Sequence, residues 1–316
     1  MAAGYRVEQA SAEDLSACVL HDDGADMHAT WALGAGMLGS SLVHGGEELL
    51  WQGAGVDSYV RERKFMGIPF LHPWANRLDG FDYALRGRSV ELDRSSPLLK
   101  LDANGLPIHG VLTGDRHWSL RELSAEADHA RLVASLDFDR PELLAAFPFP
   151  HRVGIEVRVA GGAVTVTTTL VATGGEPVPI SFGFHPYLQL PAAPRSEWRV
   201  SFPLRRHWLL DERGIPTGAT EPIDGLRGPI GDRTWDDAFD EIAPPGRFDV
   251  ADGERTIAVH YDEGYPVAQI FAPPGQEYVC VEPMTALTNS IRVPDQGLRW
   301  VPAGESWSAA FRITCG

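Results

Sequence analysis

The fold is best approached from one stretch of the sequence, Ser181-Phe182-Gly183-Phe184-His185-Pro186-Tyr187-Leu188-Gln189-Leu190. Phe182 and Phe184 alternate with small or polar residues, and this period of two is typical of a β-strand with one buried face. His185 lies on the opposite face, where the small residues before it leave space against the backbone. Pro186 has no backbone N–H to donate, so it predicts the end of the strand directly after the histidine.

The same alternation is strongest over residues 131–171. Apolar side chains occupy nearly every second position on either side of Gly161-Gly162. Two alternating runs joined by a glycine pair predict a long β-hairpin with one buried face. The segment Arg140–Phe147 is the best candidate for a short helix, because it is followed by two prolines.

Further short strands are predicted up to the end of the chain, with few helices between them. This pattern predicts an all-β fold, namely one large antiparallel β-sandwich formed by a single domain over residues 1–316. The stretch 54–80 is less regular, and within it Gly67–Leu78 is predicted to be an ordered loop packed on the core. Ser11–Asp14 is ambiguous, because its residues are also suited to capping a helix.

The charge and the cysteines of the chain argue against several classes of function. Asp and Glu number 43 and Lys and Arg 27, which gives a net charge of −16. Such a chain repels phosphate backbones and anionic lipids, so we expect neither a nucleic-acid nor a membrane partner. The three cysteines form no CxxC pair, the N-terminus lacks a signal-peptide pattern, and no apolar run is long enough for a membrane helix. A cytoplasmic protein is therefore predicted.

A second informative stretch is Tyr278-Val279-Cys280-Val281-Glu282-Pro283-Met284-Thr285. A period of two places Tyr278 and Glu282 on the same face of an apolar strand, and Pro283 ends the strand. A carboxyl group in this position is partly desolvated, which raises its pKa and makes it a better base at neutral pH. An ion pair with an arginine would explain the same residue equally well.

Other candidate groups lie in Pro- and Gly-rich loops or beside aromatic residues. They are His109, the pair Asn76-Arg77, and Asp236 or Asp237. No HxH or HExxH pattern supports a metal site, and neither a G-x-S-x-G elbow nor a nucleotide-binding fingerprint is present. Proton transfer on a small polar molecule remains as the simplest chemistry for these side chains.

Together these motifs resemble the aldose 1-epimerase (galactose mutarotase) family over most of the chain. The matching segments follow the order of the family's motifs and are Asn76-Arg77, Ile108-His109-Gly110 with Trp118, Gly183–Tyr187, Asp236–Phe239 and Glu282–Thr285. In the fourth motif, the spacing to Phe239 favours Asp236 over Asp237. Such motifs in order on an all-β chain are hard to obtain by chance, and they imply a galactose-mutarotase-like β-supersandwich.

The resemblance also implies roles for these residues. Glu282 would be the base that removes the proton of the C1 hydroxyl of a free hexose, and His185 the acid that protonates the ring oxygen. His109 is a candidate for polarising that oxygen, and Trp74 and Phe184 for an apolar platform under the sugar. No cofactor and no metal is needed, because both catalytic groups are regenerated. The substrate-binding residues implied by the resemblance are Arg77, His109, Asp236 and Asn76.

Alternatives stay open at this point. The form His185-Pro186 also occurs in hexose-6-phosphate epimerases, and Arg61, Arg63 or Lys64 near the pocket would favour that substrate. Asn76-Arg77 and the lack of a compact arginine cluster favour a free hexose instead. A non-catalytic sugar-binding or sensing protein of the same fold, or a glycosidase with two facing carboxyl groups, is also compatible with the sequence. The expected partner is a small sugar, and the chain is expected to be a monomer or a homodimer.

Overall fold

The computed structural model describes residues 4–294 and 297–316, and β-strands dominate it. The strands in chain order are β1 (Tyr5–Ala12), β2 (Leu15–Asp22), β3 (Met27–Ala32), β4 (Leu38–His44), β5 (Glu47–Glu48), β6 (Phe70–Leu71), β7 (Asp82–Leu85), β8 (Arg88–Glu91), β9 (Lys100–Leu101), β10 (Pro107–Ile108), β11 (Ser119–Ala125), β12 (Ala130–Phe138), β13 (His151–Ala160), β14 (Ala163–Ala172), β15 (Val178–Ile180), β16 (Gly183–Phe184), β17 (Tyr187–Leu188), β18 (Arg199–Phe202), β19 (Arg206–Leu210), β20 (Pro216–Pro222), β21 (Leu226–Pro229), β22 (Trp235–Asp240), β23 (Arg247–Ala251), β24 (Thr256–Glu263), β25 (Val267–Ala272), β26 (Val279–Met284), β27 (Arg299–Val301) and β28 (Ser306–Cys315). The helical elements are α1 (Gly55–Glu62), α2 (Pro141–Ala146) and the 3-10 turns Leu33–Ala35 and Arg195–Glu197. None of these helices is long and apolar enough to span a bilayer.

The largest sheet has nine strands in the order β11-β12-β13-β14-β28-β24-β23-β18-β21. Its centre contains the predicted hairpin, in which Ile155 of β13 pairs with Thr168 of β14. Gly161 and Gly162 join the two strands with φ values of 58° and 71°. Positive φ at both turn residues is the geometry of the two-residue hairpin that glycine favours, so the predicted hairpin is confirmed.

A second sheet of eight strands packs against the first. Its order is β20-β19-β22-β25-β26-β16-β6, and β17 also pairs with β26. Phe184 of β16 meets Phe311 of β28 across the interface, with ring centroids 5.0 Å apart. A five-stranded sheet of β1 to β5 covers a further side, where β2 packs on β12 and β13. The strand pairs are antiparallel, and the predicted all-β sandwich is confirmed.

Two local expectations needed correction, and one helix is confirmed. Residues 55–62 form α1, although the sequence pattern predicts no helix there. Glu13 and Asp14, with φ of 49° and 68°, form the turn between β1 and β2 rather than a helix cap of their own. The Glu13 carboxylate instead accepts hydrogen bonds from the backbone N–H groups of Val56 and Asp57, at 3.2 and 2.6 Å. It therefore caps the N-terminus of α1. The short helix predicted after residue 140 is α2.

Two glycines allow the close backbone approaches that position the candidate site. A Cβ atom on Gly183 would lie 2.7 Å from the carbonyl oxygen of Pro283, so only glycine lets β16 lie this close to β26. Gly110 has φ of 71°, and a Cβ atom there would lie 2.0 Å from the carbonyl oxygen of His72. These contacts hold residue 185 against β26 and residue 109 against the loop 72–78, which is ordered and packed as predicted.

Candidate active site

A cavity of about 380 Å³ opens on the face of the eight-stranded sheet that points away from the nine-stranded sheet. The alternation of the strands creates this division, because Val281 points into the main core and Glu282 points into the cavity. The six residues to which the family resemblance assigns a catalytic or substrate-binding role all line this cavity. They are Asn76, Arg77, His109, His185, Asp236 and Glu282.

Glu282 and His185 form a buried pair at the base of the cavity. Oε1 of Glu282 lies 3.2 Å from Nε2 of His185, and the two side chains are 1% and 5% exposed. Within residues 4–294 and 297–316, Oε2 of Glu282 and Nδ1 of His185 are buried without a hydrogen-bond partner. The pair therefore has little to stabilise separated charges apart from its own contact.

Burial shifts the pKa values of this pair in opposite directions. Burial, followed by the nearby Asp236, raises the pKa of Glu282 well above its ordinary value, and Arg77 offsets part of this. Burial, together with the neighbouring His109, lowers the pKa of His185 well below its ordinary value. Both shifts favour a protonated carboxyl group and a neutral imidazole over the charged pair, so the two groups rest in contact as a neutral acid and a neutral base.

The His185 ring is held by its neighbours on the sheet. Its backbone N–H donates to the carbonyl of Pro69 at 3.1 Å. The ring of Tyr187 stacks on it with centroids 4.4 Å apart and an interplanar angle of 4°. The Tyr187 hydroxyl also lies 3.4 Å from Nε2. The imidazole is thereby fixed with Nε2 directed at Glu282.

His109 lies beside this pair and is held in one tautomer. Its backbone is left-handed, with φ of 65°, and its Nδ1 donates to the carbonyl of Ala75 at 2.7 Å. Burial lowers the pKa of His109 to about 3, so the ring is neutral at pH 7. With the proton fixed on Nδ1, Nε2 is left as an acceptor. This nitrogen suits a sugar hydroxyl, whereas polarising a ring oxygen requires a donor.

Arg77 is oriented by acidic and amide groups on three sides. Its Nε donates to Asp102 at 2.8 Å, and a terminal nitrogen donates to Asp236 at 3.0 Å. Asn76 accepts the backbone N–H of Arg77 at 2.8 Å and lies 3.4 Å from the guanidinium. These contacts fix the planar guanidinium at the wall of the cavity.

Asp236 and Asp237 point to opposite faces of β22. Asp236 faces the cavity and accepts hydrogen bonds from Arg77 and from Gln269, the latter at 2.8 Å. Asp237 contacts Nε2 of His207 at 3.1 Å and does not line the cavity. The period of two along the strand separates these neighbouring side chains. Asp236, the residue favoured by the spacing to Phe239, is the one that faces the cavity.

A family model for aldose 1-epimerase matches the chain over residues 18–314. The chain belongs to the aldose 1-epimerase family. The predicted family is therefore confirmed. A search of curated proteins found no match for this family member.

Solved structures support the same fold for this family member. A galactose mutarotase-like protein from Clostridium acetobutylicum superposes with a TM-score of 0.86 at 18% identity, and covers 99% of each chain. A galactose 1-epimerase from Lactobacillus acidophilus gives 0.78 at 14% identity, again over 99% of each chain. A galactose mutarotase-like protein from Lactobacillus casei gives 0.72 at 17% identity, over 99% of this chain and 100% of the other. At these identities the likeness shows the fold alone.

The aromatic residues of the cavity differ from those suggested by the sequence. Trp74 and Phe184 are 1% and 0% exposed and pack in the main core, so neither forms a platform for a ligand. Phe184 precedes His185 in the strand and therefore points to the opposite face. Aromatic residues from several other elements line the cavity of this family member. They are Trp51, Phe65, Tyr187, Phe271 and Tyr278.

One lining residue of the cavity, Lys100, and two residues that hydrogen-bond to its lining, Asp102 and Gln269, were missed in the sequence. Asp102 and Lys100 lie on or next to β9, and nothing in the sequence marked either side chain as functional. Gln269 lies opposite Glu282 in the register of β25 and β26, but nothing in its own segment marked it. The period of two that joins Tyr278 to Glu282 was the one signal that pointed to a further lining residue.

No three His, Cys, Asp or Glu side chains come close enough to hold a metal ion in the part of the chain that the structure describes. That the protein works without metal or cofactor stays a prediction.

Proposed function

We propose that the protein is a mutarotase that interconverts the α and β anomers of an aldohexose. The contact of 3.2 Å between Glu282 and His185 carries the proposal. It joins a proton acceptor and a proton donor inside a cavity lined by polar side chains. Membership of the aldose 1-epimerase family supports the reaction class. Either proton transfer is worth roughly 10²- to 10⁴-fold in rate.

The proposed reaction starts when Glu282 removes the proton of the C1 hydroxyl. His185 gives a proton to the ring oxygen as the bond between C1 and that oxygen breaks, and an open-chain aldehyde results. Rotation about the C1–C2 bond then presents the other face of the carbonyl group. The reverse proton transfers close the ring as the opposite anomer, so no atom is gained or lost and both side chains are regenerated.

The protonation of the pair matches this cycle. A neutral carboxyl with a neutral imidazole contains the same number of protons as a carboxylate with an imidazolium. The pair therefore reaches its reactive form by an internal proton shift without taking a proton from solvent. Burial favours the neutral form at rest, and bound hydroxyl groups would stabilise the charged form.

The remaining cavity residues would hold the sugar. His109 offers an acceptor at Nε2, and Asp236 offers carboxylate oxygens, so both suit hydroxyl groups of the substrate. Arg77 and Asn76 offer donors at the same wall. Trp51 and Tyr278, whose ring centroids lie 4.6 Å apart, provide an apolar surface for the C–H groups of a pyranose.

A single domain over residues 1–316 and work in the cytoplasm are further parts of the proposal. One hydrophobic core that includes both Cys18 and Ile313 supports the single domain. Cys18, Cys280 and Cys315 are all free thiols, which suits a reducing compartment.

Polarimetry of freshly dissolved α-D-glucose and α-D-galactose tests the reaction. We expect the protein to accelerate the approach to anomeric equilibrium, and heat-denatured protein to leave the spontaneous rate unchanged. Calorimetric sugar binding without acceleration would replace the proposal with a non-catalytic sugar-binding protein. The ratio of the two rates would begin the description of specificity.

A further inference from the structure

One end of the cavity is basic, and it is formed by two segments that lie far apart in the sequence. The chain leaving α1 contributes Lys64 and Phe65, and β9 contributes Lys100. Nζ of Lys100 lies 4.5 Å from the centroid of the Phe65 ring. It also donates to the backbone carbonyl of Arg63, which caps the C-terminus of α1.

The cations at this end differ in how their charge is balanced. Arg77 contacts two carboxylates, and Lys64 lies 2.7 Å from Glu62. Among residues 4–294 and 297–316, by contrast, no carboxylate oxygen lies within 4.0 Å of the Lys100 ammonium or of the Arg63 guanidinium. The guanidinium of Arg63 donates to the carbonyl of Pro97 instead. Two neighbouring cations are thus balanced only by carbonyl groups and an aromatic ring.

This arrangement is unfavourable for Lys100 when the cavity is empty. Burial, followed by the adjacent Arg63, lowers the pKa of Lys100. A carbonyl oxygen and the face of Phe65 recover part of the lost hydration, but neither has a full negative charge. Since an ammonium group has three N–H donors and one is used by Arg63, two remain for a ligand.

Lys100 is close to the proposed reacting groups without touching them. The ring of Phe65 stacks on His109 with centroids 5.0 Å apart and meets the edge of His185 at 6.2 Å. The same ring contacts Lys100, so the ammonium is one side chain away from the acid–base residues. A substrate whose C1 lies at Glu282 would therefore direct a different part of its skeleton toward Lys100.

We propose, on the basis of the proposed mutarotase function, that the aldose bound in this cavity carries an anionic group remote from C1, and that Lys100 binds this group. Carboxylate, sulfonate and phosphate share the required chemistry. Arg63, which has no carboxylate partner among the described residues, adds positive charge next to it. The sequence favoured a free hexose because it shows no compact cluster of basic residues, but folding brings Lys100 to a residue 37 positions away.

The test compares D-glucose, D-glucuronate and D-glucose 6-phosphate by magnetisation-exchange NMR, which measures interconversion of the anomers directly. We expect kcat/KM for at least one of the anionic sugars to exceed that for glucose by roughly 10- to 100-fold, the size of a charge-assisted hydrogen bond. Lys100→Met should reduce this ratio toward one, and Lys100→Arg should retain most of it. Added salt should weaken the preference in the wild-type protein.

Arg61→Met is the matched control, because Arg61 is an exposed α1 residue that pairs with Asp57 outside the cavity. This variant loses the same charge and should keep the wild-type ratio. The anionic sugar with the higher kcat/KM identifies the class of anion that Lys100 binds. Equal kcat/KM for all three sugars, or a preference that survives Lys100→Met, overturns the inference and leaves the mutarotase proposal intact. If no sugar is interconverted, the mutarotase proposal fails, and this inference fails with it.

Discussion

His185 and His72 are both buried, and each faces a second titratable side chain. In the cavity, Nε2 of His185 lies 3.2 Å from a Glu282 oxygen. In the main core, Nε2 of His72 lies 2.7 Å from Nε2 of His151. Burial lowers the pKa of His185 and of His72 well below the ordinary value. These two properties alone would not separate a catalytic pair from a structural one.

The core pair differs in what surrounds it and in how it is bonded. Nδ1 of His151 donates to the carbonyl of Phe149 at 2.6 Å, so its Nε2 accepts and His72 donates. The rings of Phe70 and Phe138 stack on the two imidazoles, with centroids 5.4 and 4.6 Å apart. Neither His72 nor His151 lines the cavity that contains Glu282, and each ring has a fixed tautomer.

The chemical asymmetry of the partners decides what each pair can do. A proton shift between a carboxyl group and an imidazole gives a carboxylate and an imidazolium, both of which are stable species. The same shift between two neutral imidazoles gives an imidazolate, which is a far stronger base. The proposed proton exchange with a substrate therefore requires only stable species at Glu282 and His185, whereas His72 and His151 form a hydrogen bond to each other without such an exchange. Burial marks a catalytic residue only when an open cavity and a suitable partner accompany it.

Glu282→Gln should show the largest effect on the cavity pair. The amide keeps the shape of the side chain but cannot accept the C1 proton, so we expect kcat to fall by roughly 10²- to 10⁴-fold. Burial raises the pKa of Glu282, so the carboxylate is unfavourable in the folded protein at pH 8. The variant should therefore be at least as stable as the wild type in thermal unfolding at that pH.

The matched control for this variant is Glu263→Gln, which makes the same change at an exposed site in β24. Full mutarotase activity in Glu282→Gln would show that another group is the base. A large loss in both variants would point to a general effect of charge.

His185→Asn should have the next largest effect, and it separates catalysis from binding. We expect kcat to fall by roughly 10²-fold or more with a much smaller change in KM, because the imidazole acts on the ring oxygen in the transition state. His109→Asn is the comparison, since Nε2 of His109 is proposed to bind a hydroxyl group in the ground state as well. Its main effect should be on KM. Equal changes of KM in both variants would make His185 a binding residue only.

The cavity pair was visible in the sequence because strand geometry is local. A period of two separates His185 from Phe184, and Pro186 follows directly after His185. Pro283 follows Glu282 but does not end its strand as predicted, because β26 continues to Met284. The long hairpin was predictable for the same reason. Its strands alternate between buried and partly exposed positions, so composition along the chain reports the two faces.

Other features depend on residues that are distant in sequence. No side chain near Ala54 caps α1, and its capping carboxylate comes from Glu13, 43 positions before Val56. Lys100 enters the cavity because β9 pairs with β10, a contact of two residues per strand that leaves no periodic pattern. Trp74 lies in an irregular loop, where sequence alone cannot tell a core residue from a ligand contact.

His151→Leu should change activity less than Glu282→Gln or His185→Asn does. We expect it to act on the stability of the protein alone. The substitution leaves Nε2–H of His72 buried without an acceptor, which should lower the free energy of unfolding at pH 8 by about 1–3 kcal/mol. Measured per folded molecule, kcat should equal that of the wild type, because the core pair does not line the cavity. A loss of kcat comparable to that of His185→Asn would remove the distinction between the two pairs.

The pH dependence of the same variant provides a second, independent contrast. Burial lowers the pKa of His151 to about 4, whereas in the unfolded chain the side chain binds a proton below about pH 6.5. The wild type should therefore lose stability as the pH falls from 6.5 toward 4, by about 1.4 kcal/mol per unit from this residue at most. His151→Leu has one such histidine fewer, so urea titrations at pH 8 and pH 5 should give a smaller difference between variant and wild type at pH 5. A gap that stays constant would mean that folding does not lower the pKa of His151, and a gap that widens would mean that folding raises it, with a His151 imidazolium donating to a neutral His72.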